Sequence, residues 1–326
     1  MASETPPATT SLTTPPASRM RRVLIIAVPV AGLIGTITAL IVTLDVRASL
    51  AAIAVADPRW VAAAVGLTLL LTGLSAVRLS LFARAGGYPR SLRRCWSAAM
   101  ASTTLNAVLP SRSGDMVKAV FLADRRDEVS SLIGVVLLER VLDVLVLASV
   151  AAAAALWMGL YLVALVAGLI GCATVGALAL LRFAHALPIV GDRLEKLGRA
   201  TRAAVSKPRY LAGGVGLAIG CWSIILTIIA CLLEAVDTDV PVGIVAASGP
   251  LAILVGLLPV SISGMGTRDA ALVLLVGDYA EPERVLAAGL MYTALAYWMV
   301  ALLGLAALGR EALRKVRSAV KSGRGG

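Results

Sequence analysis

Charge is what this sequence has least of. Of its 326 residues 15% are Asp, Glu, Lys or Arg and 59% are hydrophobic, with a mean hydropathy of +0.90. Soluble domains carry about 25% charged and roughly 45–50% apolar residues, so the composition excludes an ordinary water-soluble core. Histidine is almost missing, and the single His185 lies in a basic loop. The four cysteines, Cys95, Cys172, Cys221 and Cys231, sit within or beside apolar runs and form no Cys-x-x-Cys pair. They read as small buried hydrophobes, so neither a disulfide framework nor a metal site is expected. No cofactor is expected. With 4% aromatics there is no aromatic-interleaved basic domain to hold nucleic acid. Ser-His-Asp, Cys-His, HExxH and Walker-type signatures are all lacking, which speaks against an enzyme.

What is present is a series of apolar runs, several longer than the roughly 18 residues that mark a spanning helix. The class read from them is an all-α polytopic membrane protein. The net charge of +11 collects beside the ends of those runs, as the positive-inside rule expects, and points to anionic headgroups. Residues 1–18, rich in Thr, Pro, Ser and Ala, are expected to be a disordered cytoplasmic tail. Arg19, Arg21 and Arg22 precede Val23–Leu44, which is longer than the usual 7–15-residue apolar region of a signal peptide and reads as a retained first helix.

Charge threads the chain through a bilayer. Spanning helices are expected at about 23–44, 60–82, 129–157, 160–181, 210–233 and 284–309, with both termini cytoplasmic and a basic tail at 311–326. The loop with Arg84, Arg90, Arg93 and Arg94 and the loop with Arg125 and Arg126 are both basic, and so both cytoplasmic. The intervening segment 95–123 must then enter and leave from one side. Its first arm, 95–109, would rise only about 22 Å, short of the roughly 30 Å hydrocarbon core, before Pro110 and Gly114 break it. Segment 241–277 lies between two acidic loops that lack Lys and Arg, and it reads as a second re-entrant hairpin from the opposite face, interrupted at Pro259. Residues 241–258 are also long enough to span, which would put Thr267, Arg268 and Asp269 in the cytoplasm. The halves 23–157 and 160–309 together read as an inverted-topology repeat.

Broken backbone at membrane depth is tolerated only where protein or a wet cavity satisfies it. Half-helix N-termini suit an anion such as phosphate, and Gly114, Gly264 and Gly266 would permit close backbone approach. A third charged segment, "LLERVLDVLVL", puts Glu139 about 14 Å and Asp143 about 20 Å into its helix, four apart on one face. Charges there cost at least about 2.5–3.5 kcal/mol each, so they face inward and pair. Arg112, Lys118, Arg140 and Arg268 balance Asp115, Glu139, Asp143 and Asp269. Two readings stay open: the charges pair only with one another, or they line a substrate or proton pathway. Arg78, near the end of its helix, is expected to snorkel to the interface. Asn106 would either bond freed backbone or pack.

Taken in order, "NAVLPSRSGDMVKAVFL", "VVLLERVLDVLVL" and "GLLPVSISGMGTRDAAL" resemble the lysylphosphatidylglycerol synthase transmembrane-region family, also called flippase-like domain proteins, over residues 20 to 310. The resemblance implies association with moving aminoacylated phosphatidylglycerol, as in multiple peptide resistance factors, or with polyprenol-phosphate sugar pathways. By motif it implicates Asn106, Pro110, Arg112, Gly114, Asp115, Glu139, Arg140, Asp143, Pro259, Gly264, Gly266, Thr267, Arg268 and Asp269. Asp115 and Asp269 depart from it, standing where many members have Glu. Headgroup contacts are expected from Asn106, Arg112, Gly114, Arg140, Ser263, Gly264, Gly266, Thr267 and Arg268. Ion pairs or a proton relay are expected from Asp115, Lys118, Glu139, Asp143 and Asp269. The sequence ends soon after its last apolar run, so no soluble aminoacyl-transferring domain is expected. The leading expectation is a plasma-membrane translocase for a phospholipid or polyprenyl-phosphate-linked lipid. The alternative is a non-catalytic subunit that presents lipid to a separate synthase or glycosyltransferase.

Overall fold

The structure, a computed structural model, describes residues 46–107, 113–183, 202–203, 206–257 and 264–306. The tails, the helix expected at 23–44, and Pro110, Arg112, Pro259 and Ser263 lie outside them. All regular structure among the described residues is helical: α1 Val46–Ala54, α2 Pro58–Ala85, α3 Leu92–Asn106, α4 Val117–Leu122, α5 Glu128–Trp157, α6 Tyr161–Phe183, α7 Pro208–Ala235, α8 Val242–Gly256, α9 Thr267–Val276 and α10 from Pro282. A 3-10 turn, Ser113–Met116, leads into α4. The helix α10 passes through a π-helical turn at Ala294–Met299 and runs on to Ala306.

Local chemistry sets the ends. Asp57 caps α2 by accepting from the Arg59 N–H (2.8 Å), with Pro58 in the first turn. Ser91 caps α3 in the same way through the Arg94 N–H (3.4 Å). Gly87, at φ 91°, reverses the chain between α2 and α3, and Asp237, at φ 58°, does so between α7 and α8. Asp is among the few non-glycine residues that accept this conformation readily. Arg284 holds the second turn by donating to the Val236 (2.9 Å) and Asp237 (2.8 Å) carbonyls. Arg90 and Arg94 reach the frayed end of α4, donating to the carbonyls of Leu122 (2.6 Å) and Phe121 (2.8 Å). Arg94 also bonds Asp124, and that hydrogen bond holds the carboxyl below the usual carboxylate range.

The helices α2 and α7 form the most extensive helix pair. They are antiparallel: the Asp57 N–H donates to Ala235 O (2.8 Å) at one end, and Lys207 Nζ donates to Ala85 O (3.0 Å) at the other. Both are 28 residues long, and α3 and α8 are both 15. The starts at 58 and 208, 92 and 242, and the ends at 85 and 235, 106 and 256, are each 150 residues apart. The second half therefore repeats the element order of the first. The largest apolar cluster joins both halves through Leu147, Trp222, Ile228, Leu232, Leu272 and Tyr292, and a smaller one fastens α3 and α4 to α2 and α5 through Leu79, Ala98, Leu122 and Leu132.

Three helices, Pro58–Ala85, Pro208–Ala235 and Pro282–Ala306, are long and apolar enough to cross a membrane. They lie at three of the expected spans, and α5 and α6 lie at two more. At 15 residues α3 and α8 rise about 22 Å, less than the hydrocarbon core of roughly 30 Å. Outward-facing Leu162, Leu165 and Leu169 on α6 and Leu274 on α9 are exposed, a surface that suits lipid and not water. This is a helical membrane protein.

At the α2–α7 contact, a side chain added at Gly214 would overlap the Phe82 ring, whereas nothing lies within 4 Å of a side chain at Gly216. Gly214→Val should therefore destabilise by about 1–3 kcal/mol and lower the melting temperature in detergent, with Gly216→Val leaving it unchanged. Equal effects at the two positions would contradict the packing described.

Candidate functional site

The break after α3 brings six charged residues together. Glu139 and Asp143, one turn apart on α5, share the Arg78 guanidinium from α2. Arg78 Nε and Nη2 donate to Glu139 Oε1 (3.1 and 2.7 Å), and Arg78 Nη1 donates to Asp143 Oδ1 (2.5 Å). Lys118 Nζ on α4 donates to Glu139 Oε2 (3.0 Å). Arg140 lies 2.8 Å from Asp115 Oδ2 and donates to Asp143 Oδ2 (3.2 Å). Asp115 Oδ1 accepts from Ser102 Oγ (2.6 Å) and Asn106 Nδ2 (3.0 Å), and Trp222 Nε1 on α7 donates to Asp143 Oδ1 (2.9 Å). Gly114 makes this possible: a Cβ there would stand 2.7 Å from Asn106 Oδ1, so only glycine lets the turn press on the end of α3.

Glu139 is 1% exposed, Asp115 2%, Asp143 3%, and Lys118 and Arg78 6% each. Such burial is tolerable only with close, oriented partners, and removing one of them leaves a bare charge. Arg78 corrects an expectation. It does not snorkel: its fork makes four hydrogen bonds to two carboxylates one turn apart on α5, and that paired geometry holds it inside the protein. Trp222 and Ser102 were not legible as partners, since an indole or a hydroxyl in an apolar run reads as packing.

The second break builds a smaller group. Gly264 (φ 75°) and Gly266 (φ 81°) turn the chain into α9, and the Gly266 N–H donates to Asp269 Oδ2 (3.2 Å). Arg268 Nε donates to Asp269 Oδ1 (2.9 Å), while Nη2 bonds Asp269, Gly289 O (2.9 Å) and Thr293 Oγ1 (2.7 Å). The guanidinium lies over the Tyr292 ring, 4.6 Å from its centre. Arg268 and Asp269 are 4% and 1% exposed, so they sit inside the protein and not in a solvated loop; Thr267 beside them is half-buried. Arg268 Nη1 is buried without a hydrogen-bond partner. Arg268 lines a small cavity with Gly249, Ala252, Leu272, Gly289 and Tyr292.

The same 150-residue spacing relates the two groups. Gly114, Lys118, Glu139 and Asp143 correspond to Gly264, Arg268, Gly289 and Thr293. The cation is kept, but glycine and threonine replace the two carboxylates of α5. Asp269 supplies the anion from the short arm itself, and it needs glycine at 289, where a Cβ would stand 2.6 Å from Asp269 Oδ1. Asn106, Gly114, Asp115, Lys118, Glu139, Arg140 and Asp143 thus assemble in one group, and Gly264, Gly266, Arg268 and Asp269 in the other.

Losing one member of the first group should be costly. Glu139→Gln and Arg78→Gln should each destabilise by about 3–5 kcal/mol. The double variant should be more stable than the sum predicts by on the order of 1 kcal/mol or more, as measured by detergent unfolding. Additive effects would contradict the pairing.

A comparison with curated proteins gave no match. A family model described as "Lysylphosphatidylglycerol synthase TM region" matches residues 23–304. That span takes in both broken segments and both charged groups, and the chain belongs to the lysylphosphatidylglycerol synthase transmembrane-region family.

Proposed function

We propose that this protein is a lipid translocase of the plasma membrane, moving a phosphate-containing lipid or lipid-linked headgroup between leaflets. In this reading six helices span the bilayer, α3–α4 and α8–α9 are re-entrant hairpins from opposite faces, and the halves form an inverted repeat. The observation that carries it is the pairing of two short, broken segments, each with buried charges at its break, around the antiparallel α2 and α7. A membrane protein that only needed to stand in lipid would have no use for either break.

In this reading the headgroup phosphate sits against Arg140 and Arg268, with Arg112 of the first broken segment a further cation, while its acyl chains stay in the bilayer. Arg140, with its side chain 26% exposed, is the member of the first group most open to a ligand. Alternating exposure of the two hairpins would carry the headgroup across. Chemistry on the lipid is no part of this reading.

Purified protein in liposomes should speed transbilayer movement of a fluorescent anionic phospholipid, and Arg140→Ala should slow it at least ten-fold, measured on variant protein shown to be folded by its monodisperse elution in detergent. Movement no faster than in protein-free liposomes, across phospholipids and polyprenyl phosphates, would remove the translocase reading. Copurification of a stoichiometric synthase or glycosyltransferase in its place would favour a lipid-presenting subunit.

A further inference from the structure

We infer that α9 is the moving gate of this protein and that α4, its counterpart in the first half, stays fixed. That the gate admits lipid rests on the translocase reading; which segment moves rests on the geometry alone. The ties of the first broken segment all cross to another helix. Asp115 accepts from Ser102 and Asn106 of α3 and lies against Arg140 of α5, and Lys118 donates to Glu139 of α5. Drawing this segment away from α5 would part Lys118 from Glu139 and Asp115 from Arg140. Each would be left as a buried charge without its partner, the arrangement that costs most.

In the second half every one of those ties is missing. At the 150-residue spacing Ser102, Asn106, Asp115, Glu139 and Arg140 correspond to Ala252, Gly256, Met265, Gly289 and Leu290. None of the five replacements carries a charge or a strong hydrogen-bonding group on its side chain. The ions of the second segment lie side by side on α9 instead. Asp269 is bonded by Arg268 and by the Gly266 N–H, so cation and anion travel together when α9 moves. What Arg268 loses on leaving α10 is the Gly289 carbonyl, the Thr293 hydroxyl and the face of the Tyr292 ring, all of them uncharged. The neighbouring helices are also smooth where α9 passes. A Cβ at Gly256 would stand 3.0 Å from Arg268 Cβ, and one at Gly289 would stand 2.6 Å from Asp269 Oδ1. Bare backbone on both sides lets α9 shift against α8 and α10 with no side chain in its path. Alternating exposure then comes from the movement of α9, with α4 and α5 as the fixed wall.

Spin labels test this on the full chain in phosphatidylglycerol nanodiscs, with the exposed native Cys172 replaced by serine. One pair joins Leu70→Cys on α2 to Leu274→Cys on α9, and the other joins Leu70→Cys to Val120→Cys on α4. All three side chains are exposed and none belongs to either charged group. Pulsed dipolar distance measurements should give two distances for the α9 pair and one for the α4 pair. Thr293→Val removes one acceptor of Arg268 and no charge. It should raise the weight of the second α9 distance at least two-fold, as a shift between two existing states, and leave the α4 pair as it was. One α9 distance in both proteins, an unchanged weight, or a second α4 distance overturns the inference. Should Thr293→Val fail to fold, the two pairs in the chain that keeps Thr293 decide by the same comparison. Movement of α9 without lipid transport removes the translocase reading alone, and lipid transport with a still α9 removes this inference alone.

Discussion

A charge buried away from water must bring its own solvation, and the joint hold of Glu139 and Asp143 on Arg78 is where this protein meets that requirement. The three side chains come from two helices, and each bond fixes the rotation of α2 against α5. Lys118 and Arg140 then extend the arrangement to the broken segment. The first hairpin is tied to the bundle through ions that cannot be given up singly. Trp222 carries the tie to α7, so one network touches both halves.

The second hairpin answers the same requirement differently. Its cation and anion are neighbours on α9, neutral as a unit, and they meet α10 through a carbonyl, a hydroxyl and the Tyr292 ring. The π-helical turn of α10 follows directly after Thr293, one of those acceptors. Such turns occur often at functional sites, where a helix must present groups out of regular register. The two halves thus share a framework and differ in how charge is distributed over it.

Much of this was legible in the sequence because membrane helices are constrained by length and charge. The helices at 58–85, 128–157 and 208–235 follow from apolar runs ended by charge and proline. The breaks follow from Gly114 and Gly264, and the shared face of Glu139 and Asp143 from counting along α5. Arg78 was misread because an arginine near a helix end usually reaches water, and only the fold brings two carboxylates to it. The internal repeat had a plainer signal than charge topology: Pro58, Arg59, Ala62, Val65, Gly66 and Leu67 recur as Pro208, Arg209, Ala212, Val215, Gly216 and Leu217. The π-turn of α10 left no mark, since an apolar helix surrounded by protein and lipid has no polar face whose periodicity could slip.

The proposed function has the two short segments entering from opposite faces and returning to them. Single cysteines at Ser91 and Asp124, the ends of the first hairpin, and at Asp239 and Tyr279, the ends of the second, can be probed with an impermeant thiol reagent in sealed vesicles of known orientation. The account predicts that Ser91→Cys and Asp124→Cys are labelled from one side only, and Asp239→Cys and Tyr279→Cys from the other only. Labelling of Ser91→Cys and Asp124→Cys from opposite sides would mean the first segment spans, and would contradict the account.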